Sequence, residues 1–126
     1  MSRAKSIHAA EAALFRALAH PVRLQILDIL SEGEVCVCHI QAVLRQRQAY
    51  VSQHLMALRS AGLVASRKHG LRVYYQISEP HMQTMLGEAR QVALAHGSAA
   101  LPGAGLTLRP NHCKCPRCVE NGESVS

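Results

Sequence analysis

Between Val35 and Ser78 the chain contains neither aspartate nor glutamate, and inside that same stretch its period changes from helical spacing to two. The stretch holds Arg45, Arg47, Arg59, Arg67, Lys68 and Arg72, and the rest of the chain is formally neutral, so the whole net charge of +6 belongs here. A block of one sign that is also patterned for helices and strands must fold with its charges on one outer surface. Such a surface suits a polyanion.

The apolar periods give the elements. Residues 6–19 place Leu14, Ala17 and Leu18 on one face, with Ala10 a turn earlier, which predicts a short amphipathic helix. His20-Pro21 restarts the chain, since proline at a first helical position forfeits an N–H that has no partner there anyway. Val22, Leu24, Ile26, Leu27, Ile29 and Leu30 then make a central helix, ended near Gly33. Residues 35–44 predict a third, short helix with Val35, Ile40 and Leu44 inward. Arg45 to Gln48 form a polar turn. Residues 49–60 predict a fourth helix, with Val51, Leu55 and Leu58 at i, i+4 and i+7.

After Ala61-Gly62 the period becomes two. Residues 63–68 and 71–77 read as strands joined by His69-Gly70, a β-hairpin link with glycine where positive φ is needed. Ser78-Glu79-Pro80 opens a last helix whose stripe of Met82, Met85, Leu86, Ala89, Val92, Ala93 and His96 packs on the core or on a second copy. Residues 97–105, rich in Gly, Ala and Pro, read as a linker, and a polar tail follows. The expected organisation is one mainly α domain with a small β-hairpin over residues 1–96 and a Cys-rich tail over 97–126.

Apolar residues make up 48% of the chain, yet it has one Phe, three Tyr and no Trp. The core must therefore come from aliphatic side chains on packed helices, and at this size a dimer would bury more of them. No run approaches the roughly 20 apolar residues of a membrane span. No signal-peptide apolar region follows the basic start. The expectation is a cytoplasmic protein without membrane contact, in which five cysteines serve as metal or redox ligands rather than as a disulfide framework.

Two short helices on a tight turn, followed by a hairpin, form the winged helix-turn-helix plan. Its second helix enters the major groove of double-stranded DNA. With Val51, Leu55 and Leu58 buried, Gln48, Ala49, Ser52, Gln53, Met56 and Arg59 face outward. Gln48 and Gln53 suit adenine edges, Ser52 is permissive, and Ala49 and Met56 suit thymine methyls. Arg45 and Arg47 in the turn suit phosphates, while Arg67, Lys68, His69 and Arg72 at the hairpin tip suit the backbone or minor groove.

Leu14 to Leu27, Glu34-Val-Cys-Val-Cys-His-Ile40, Val51-Ser-Gln-His-Leu55, Leu58 to Val64 and Val73-Tyr-Tyr75 together resemble the ArsR/SmtB metalloregulatory repressors over about residues 10–95. The resemblance implies a homodimeric winged-helix repressor that leaves its operator when a thiophilic metal or metalloid binds, with the first and last helices at the dimer interface. It also matches Ser52, Gln53 and His54 to recognition-helix positions. The helical wheel puts His54 at the core edge, which suits a structural or phosphate contact.

Cys36 and Cys38 resemble that family's soft-metal motif. Thiolates select Cd(II) or Pb(II), and three thiolates suit As(III) or Sb(III). Gln41 stands where the arsenic motif has a third cysteine, and His39 where an acidic residue is usual. On a continuous helix, residues i and i+2 lie about 200° apart, so joint ligation would bend the start of the third helix, and a mutual disulfide would be difficult. Cys113, Cys115 and Cys118, beside His112, either complete this site from the same or the partner chain, or form their own three-thiolate or zinc (Cys₃His) site. Glu79, His81, Glu88 and His96 have the wrong spacing for a last-helix zinc site. A repressor of the same fold that senses redox state or reactive sulfur is the alternative, with a tail cysteine pairing to Cys36 or Cys38. A zinc enzyme is disfavoured, because no His-x-Glu accompanies Pro-Cys-x-x-Cys, and no phosphate loop or Ser-His-Asp set occurs.

Overall fold

The computed structural model describes residues 3–96 and gives the order α1 (Arg3–Leu18), α2 (Pro21–Leu30), β1 (Val35–Cys36), α3 (Val37–Leu44), α4 (Gln48–Ser60), β2 (Val64–His69), β3 (Arg72–Ile77) and α5 (Met82–Ala95). The expected tail, with His112, Cys113, Cys115 and Cys118, lies outside the described residues.

Helix α2 is the axis of the core. His20 caps it from an extended backbone, its Nδ1 accepting from the Val22 N–H at 3.2 Å, and Pro21 follows at the first helical position. That satisfies one of the otherwise unpaired first-turn donors. Ile26, Leu27 and Leu30 pack with Ile40, Val51, Leu55, Leu58 and Met82 in one aliphatic cluster. Leu24 is exposed, so α2 has a free side. The α3–α4 turn closes in the manner of a Schellman cap: the N–H groups of Arg45 and Gln46 both reach the Gln41 carbonyl, with Arg45 left-handed at φ 57°. Glycine is the usual residue at such a position.

Two expectations are corrected here. The third helix does not begin at Val35. Val35 and Cys36 are extended and pair antiparallel with Tyr75 and Tyr74, so the sheet has three strands in the order β1-β3-β2. Two residues are too few to show an alternating period, and the apolar run Val35 to Ile40 reads as continuous helix. The hairpin link is also shifted by one: His69 pairs with Arg72, leaving Gly70 (φ 62°) and Leu71 in the turn. Leu71 is therefore not the first strand residue but a fully exposed tip (100%).

The stripe of α5 is only partly used within one chain. Met82 is buried and Met85 and Leu86 lean on the core, whereas Val92 is 61% exposed and Leu94 is exposed with it. Ile7 and Phe15 on α1 are likewise exposed.

Candidate nucleic-acid interface and thiol pair

Helix α4 is seated by Val51, Leu55 and Leu58, all fully buried, so its opposite side is free. Gln48, Ala49, Gln53, Met56 and Arg59 are exposed there, Met56 at 62%, and Ser52 is half-buried. Arg45 and Arg47 are exposed in the turn before it. Tyr50, on the first turn, is 37% exposed, and the sequence pattern does not mark it. It lies outside the inward triplet and carries no charge to draw notice.

His54 is buried, as the wheel suggested, and the reason is a polar clamp. Arg23 of α2 donates from Nε to His54 Nδ1 at 3.1 Å and from Nη1 to the Ala17 carbonyl at 3.0 Å. The His20 ring lies 4.2 Å from that of His54, and Tyr50 meets it edge-on at 4.8 Å. Arg23 thus ties the end of α1 to the outward helix. Its role was hidden in the sequence, because the His54 partner stands 31 residues away.

Burial, then the His20 ring and the Arg23 guanidinium, push the His54 pKa below the ordinary histidine value. The folded form therefore binds its proton later than the unfolded chain does. This contribution to stability is complete above about pH 6.5 and is lost as pH falls from there through the lowered value. The urea midpoint should drop on acidification from pH 7.5 to 5.5, and His54→Gln, which keeps an acceptor for Arg23, should flatten that drop. An unchanged slope in the variant would remove His54 as its source.

The wing carries the remaining expected contacts, and the structure divides them. Lys68 and His69 are exposed near the tip. Arg67 is engaged within the chain: it forms a two-point bridge to Glu34 at 2.8 and 2.9 Å and lies 5.1 Å over the Tyr74 ring. Glu34 is the last acid before the acid-free stretch, and it folds back onto it. Arg72 is half-buried, with Nη1 3.5 Å from the Cys38 sulfur.

The Arg72–Cys38 contact belongs to a larger arrangement. Directly paired residues of antiparallel strands share a sheet face. Cys36 and Arg67 both pair with Tyr74, and His69 pairs with Arg72, so all five line one face of the sheet. Cys36 is 1% exposed and packs with Tyr74, Cys38 and Ala42. The two cysteines are joined as a disulfide with Cα atoms 5.3 Å apart. This overturns the expectation that they are too close in a helix for an easy mutual disulfide. Cys36 is extended at the N-cap (ψ 157°) and Cys38 is in the first helical turn, so the helical angle between them does not apply. Two soft-donor residues thus meet at the β1–α3 joint. Among the described residues no third His, Cys, Asp or Glu joins them in a metal-holding group. Nor is any described helix long and apolar enough to cross a membrane.

A buried-side/free-side helix after a tight turn, with a basic wing beside it, defines a winged helix-turn-helix protein. The family model "Bacterial regulatory protein, arsR family" matches residues 20–66. The arsenical resistance operon repressor of Escherichia coli (strain K12) is 47% identical over 70 residues, 55% of this chain and 59% of that repressor, so the chain spans about three-fifths of its length. The arsenic resistance transcriptional regulator ArsR2 of Pseudomonas putida is 35% identical over 97 residues, covering 76% of this chain and 84% of that one. Among solved structures, the homodimeric winged helix-turn-helix DNA-binding domain Mb0332 from Mycobacterium bovis has TM-score 0.70 and 33% identity, over 80% of this chain and 94% of that chain. The chain belongs to the ArsR family.

Proposed function

We propose that this chain is a homodimeric, DNA-binding transcriptional repressor that leaves its operator when a thiophilic ion binds through Cys36 and Cys38, and that it is not an enzyme. The observation that carries the reading is where the two sulfurs meet. They sit at the joint between β1, laddered to the wing strand β3, and α3, the first half of the DNA-reading unit. An ion held between them must be accommodated by moving α3, β1 or both. Each movement reaches a DNA-facing element, α3 through the turn to α4, and β1 through Tyr74 and Arg72 to the wing tip. Such a joint is a bistable element that occupancy biases.

The arsenic-named relatives favour As(III), which takes three thiolates; Sb(III), which does the same, and Cd(II), Pb(II) and Zn(II) complete the candidate set. Cys113, Cys115 or Cys118 would then supply the missing donors. The DNA contacts are assigned to Arg45, Arg47, Gln48, Ala49, Ser52, Gln53, Met56 and Arg59 of the helix-turn-helix and to Lys68, His69 and Arg72 of the wing. Arg67 is assigned to holding the wing on Glu34. The exposed apolar residues Val92 and Leu94 of α5, with Ile7 and Phe15 of α1, are assigned to the contact between two copies. A two-fold dimer presents two such reading helices to a palindromic operator.

The test is fluorescence anisotropy of an operator fragment with the fully reduced protein, titrated in turn with As(III), Sb(III), Cd(II), Pb(II) and Zn(II). One ion should weaken binding by about 5–150-fold, the ordinary range for coupled sites. Cys38→Ser and Cys36→Ser should each leave DNA affinity within about threefold and abolish that weakening. A mutant that still responds like the parent places the sensing site elsewhere.

A further inference from the structure

We infer that Cys36 and Cys38 form a reversible dithiol–disulfide couple that masks the ion site while leaving the DNA-reading surface in place. The inference rests on the metal-responsive reading above and adds a gate to it. With the disulfide made, the winged-helix architecture is complete: the β1–β3 ladder is formed, the α3–α4 turn is closed, and Gln48, Ala49, Gln53 and Met56 are exposed. The Cα separation of 5.3 Å lies in the ordinary range for a disulfide. The bonded pair is therefore compatible with every element that faces DNA.

Bonding the two sulfurs does remove the ligands. The metal ligand is the thiolate; in the disulfide one of the two thiolate pairs has become the S–S bond and the other two electrons have gone to the oxidant. Ion and disulfide are mutually exclusive on this pair. The oxidised repressor stays on its operator and no longer hears the ion. This outcome differs from release by oxidation, which a tail cysteine paired to Cys36 or Cys38 would produce.

Burial orders the chemistry. Cys38 is partly exposed and Cys36 is 1% exposed. With a hydroperoxide as oxidant, the Cys38 sulfur attacks the outer peroxide oxygen, the O–O bond breaks, and an alcohol or water leaves with a proton, giving a sulfenic acid. The Cys36 sulfur then attacks the Cys38 sulfur, the S–O bond breaks, and hydroxide departs with the Cys36 proton as water. Two thiols lose two electrons and the peroxide gains them. A small dithiol reverses the step.

The experiment uses the full chain, reduced or treated with hydrogen peroxide. Trypsin releases residues 24–45, which contain Cys36 and Cys38 and no other cysteine. After oxidation this peptide should be lighter by two hydrogens and resist alkylation. The oxidised protein should bind the operator within about twofold of the reduced protein. The ion that releases the reduced form should not release the oxidised one until dithiothreitol is added. In a chain carrying Cys113→Ser, Cys115→Ser and Cys118→Ser, phenylarsine oxide, which bridges two thiols, should bind once per chain when reduced and not when oxidised. Loss of DNA binding on oxidation alone overturns the inference. So does release of the oxidised form by the ion, or a peptide that keeps both thiols. If the reduced chain ignores every ion, the metal-responsive reading falls instead, and phenylarsine oxide with the DNA affinities still decides the masking.

Discussion

Operator affinity should fall on the order of 10⁴-fold between 50 and 200 mM salt. Each neutralised phosphate releases condensed counterions, and 6–10 contacts weaken binding by about 10³–10⁵ over that interval. The structure narrows the contributors. Arg45, Arg47, Arg59 and Lys68 are exposed and Arg72 is half-buried on the wing, whereas the guanidinium of the exposed Arg67 is engaged by Glu34. From the acid-free stretch a dimer thus presents about eight to ten cations not engaged by a carboxylate, within the range that sets the slope. Binding isotherms across a salt series check it. Arg47→Ala should lower the slope of log K against log salt by about one for each phosphate it leaves unneutralised. Arg67→Ala should leave the slope nearly unchanged, because its guanidinium neutralises a carboxylate rather than a phosphate. A flat salt response in the parent chain would reject the basic segment as the DNA face. A slope that drops as much for Arg67→Ala as for Arg47→Ala would return Arg67 to that face.

Leu55→Ala should cost about 2–5 kcal/mol of unfolding free energy, a large share of the roughly 5–15 kcal/mol that holds a domain of this kind. Leu55 is 0% exposed and sits in the aliphatic cluster between α4 and the rest of the core. Urea unfolding at a fixed protein concentration reads the change; concentration must be held because association between copies adds to apparent stability. Met56→Ala, one residue on but outward, is the control. It should shift stability by no more than about 0.5 kcal/mol and act instead on DNA affinity. Equal destabilisation by the two would mean that α4 is not seated as described.

Legibility followed how local the signal was. Val51, Leu55 and Leu58 are a helical triplet, and their spacing alone told which side of α4 is buried and hence which residues face out. The wing showed through its change of period and through Gly70. The cap at His20-Pro21 showed through proline. What could not be read were contacts made across distance. Arg23 reaches His54 across a gap of 31 residues, Arg67 reaches Glu34 across 33, and Arg72 reaches Cys38 across 34. In each case the residues look like independent surface charges or a lone sulfur until the chain is folded. β1 escaped because two apolar residues before an apolar helix carry no period of their own.

The order of residues by itself determined the class of fold, the sign of the outer surface and the pairing of two soft donors ahead of the reading helix, since periodicity, charge and ligand type are properties of the unfolded chain too. Only the tertiary structure decided that Val35 and Cys36 leave the helix for the wing sheet. Strand pairing is a contact between distant segments, and it turns Cys36 to the side where Cys38, Tyr74 and Arg72 stand. Through that turn a sulfur pair adjoining one helix also becomes part of the wing.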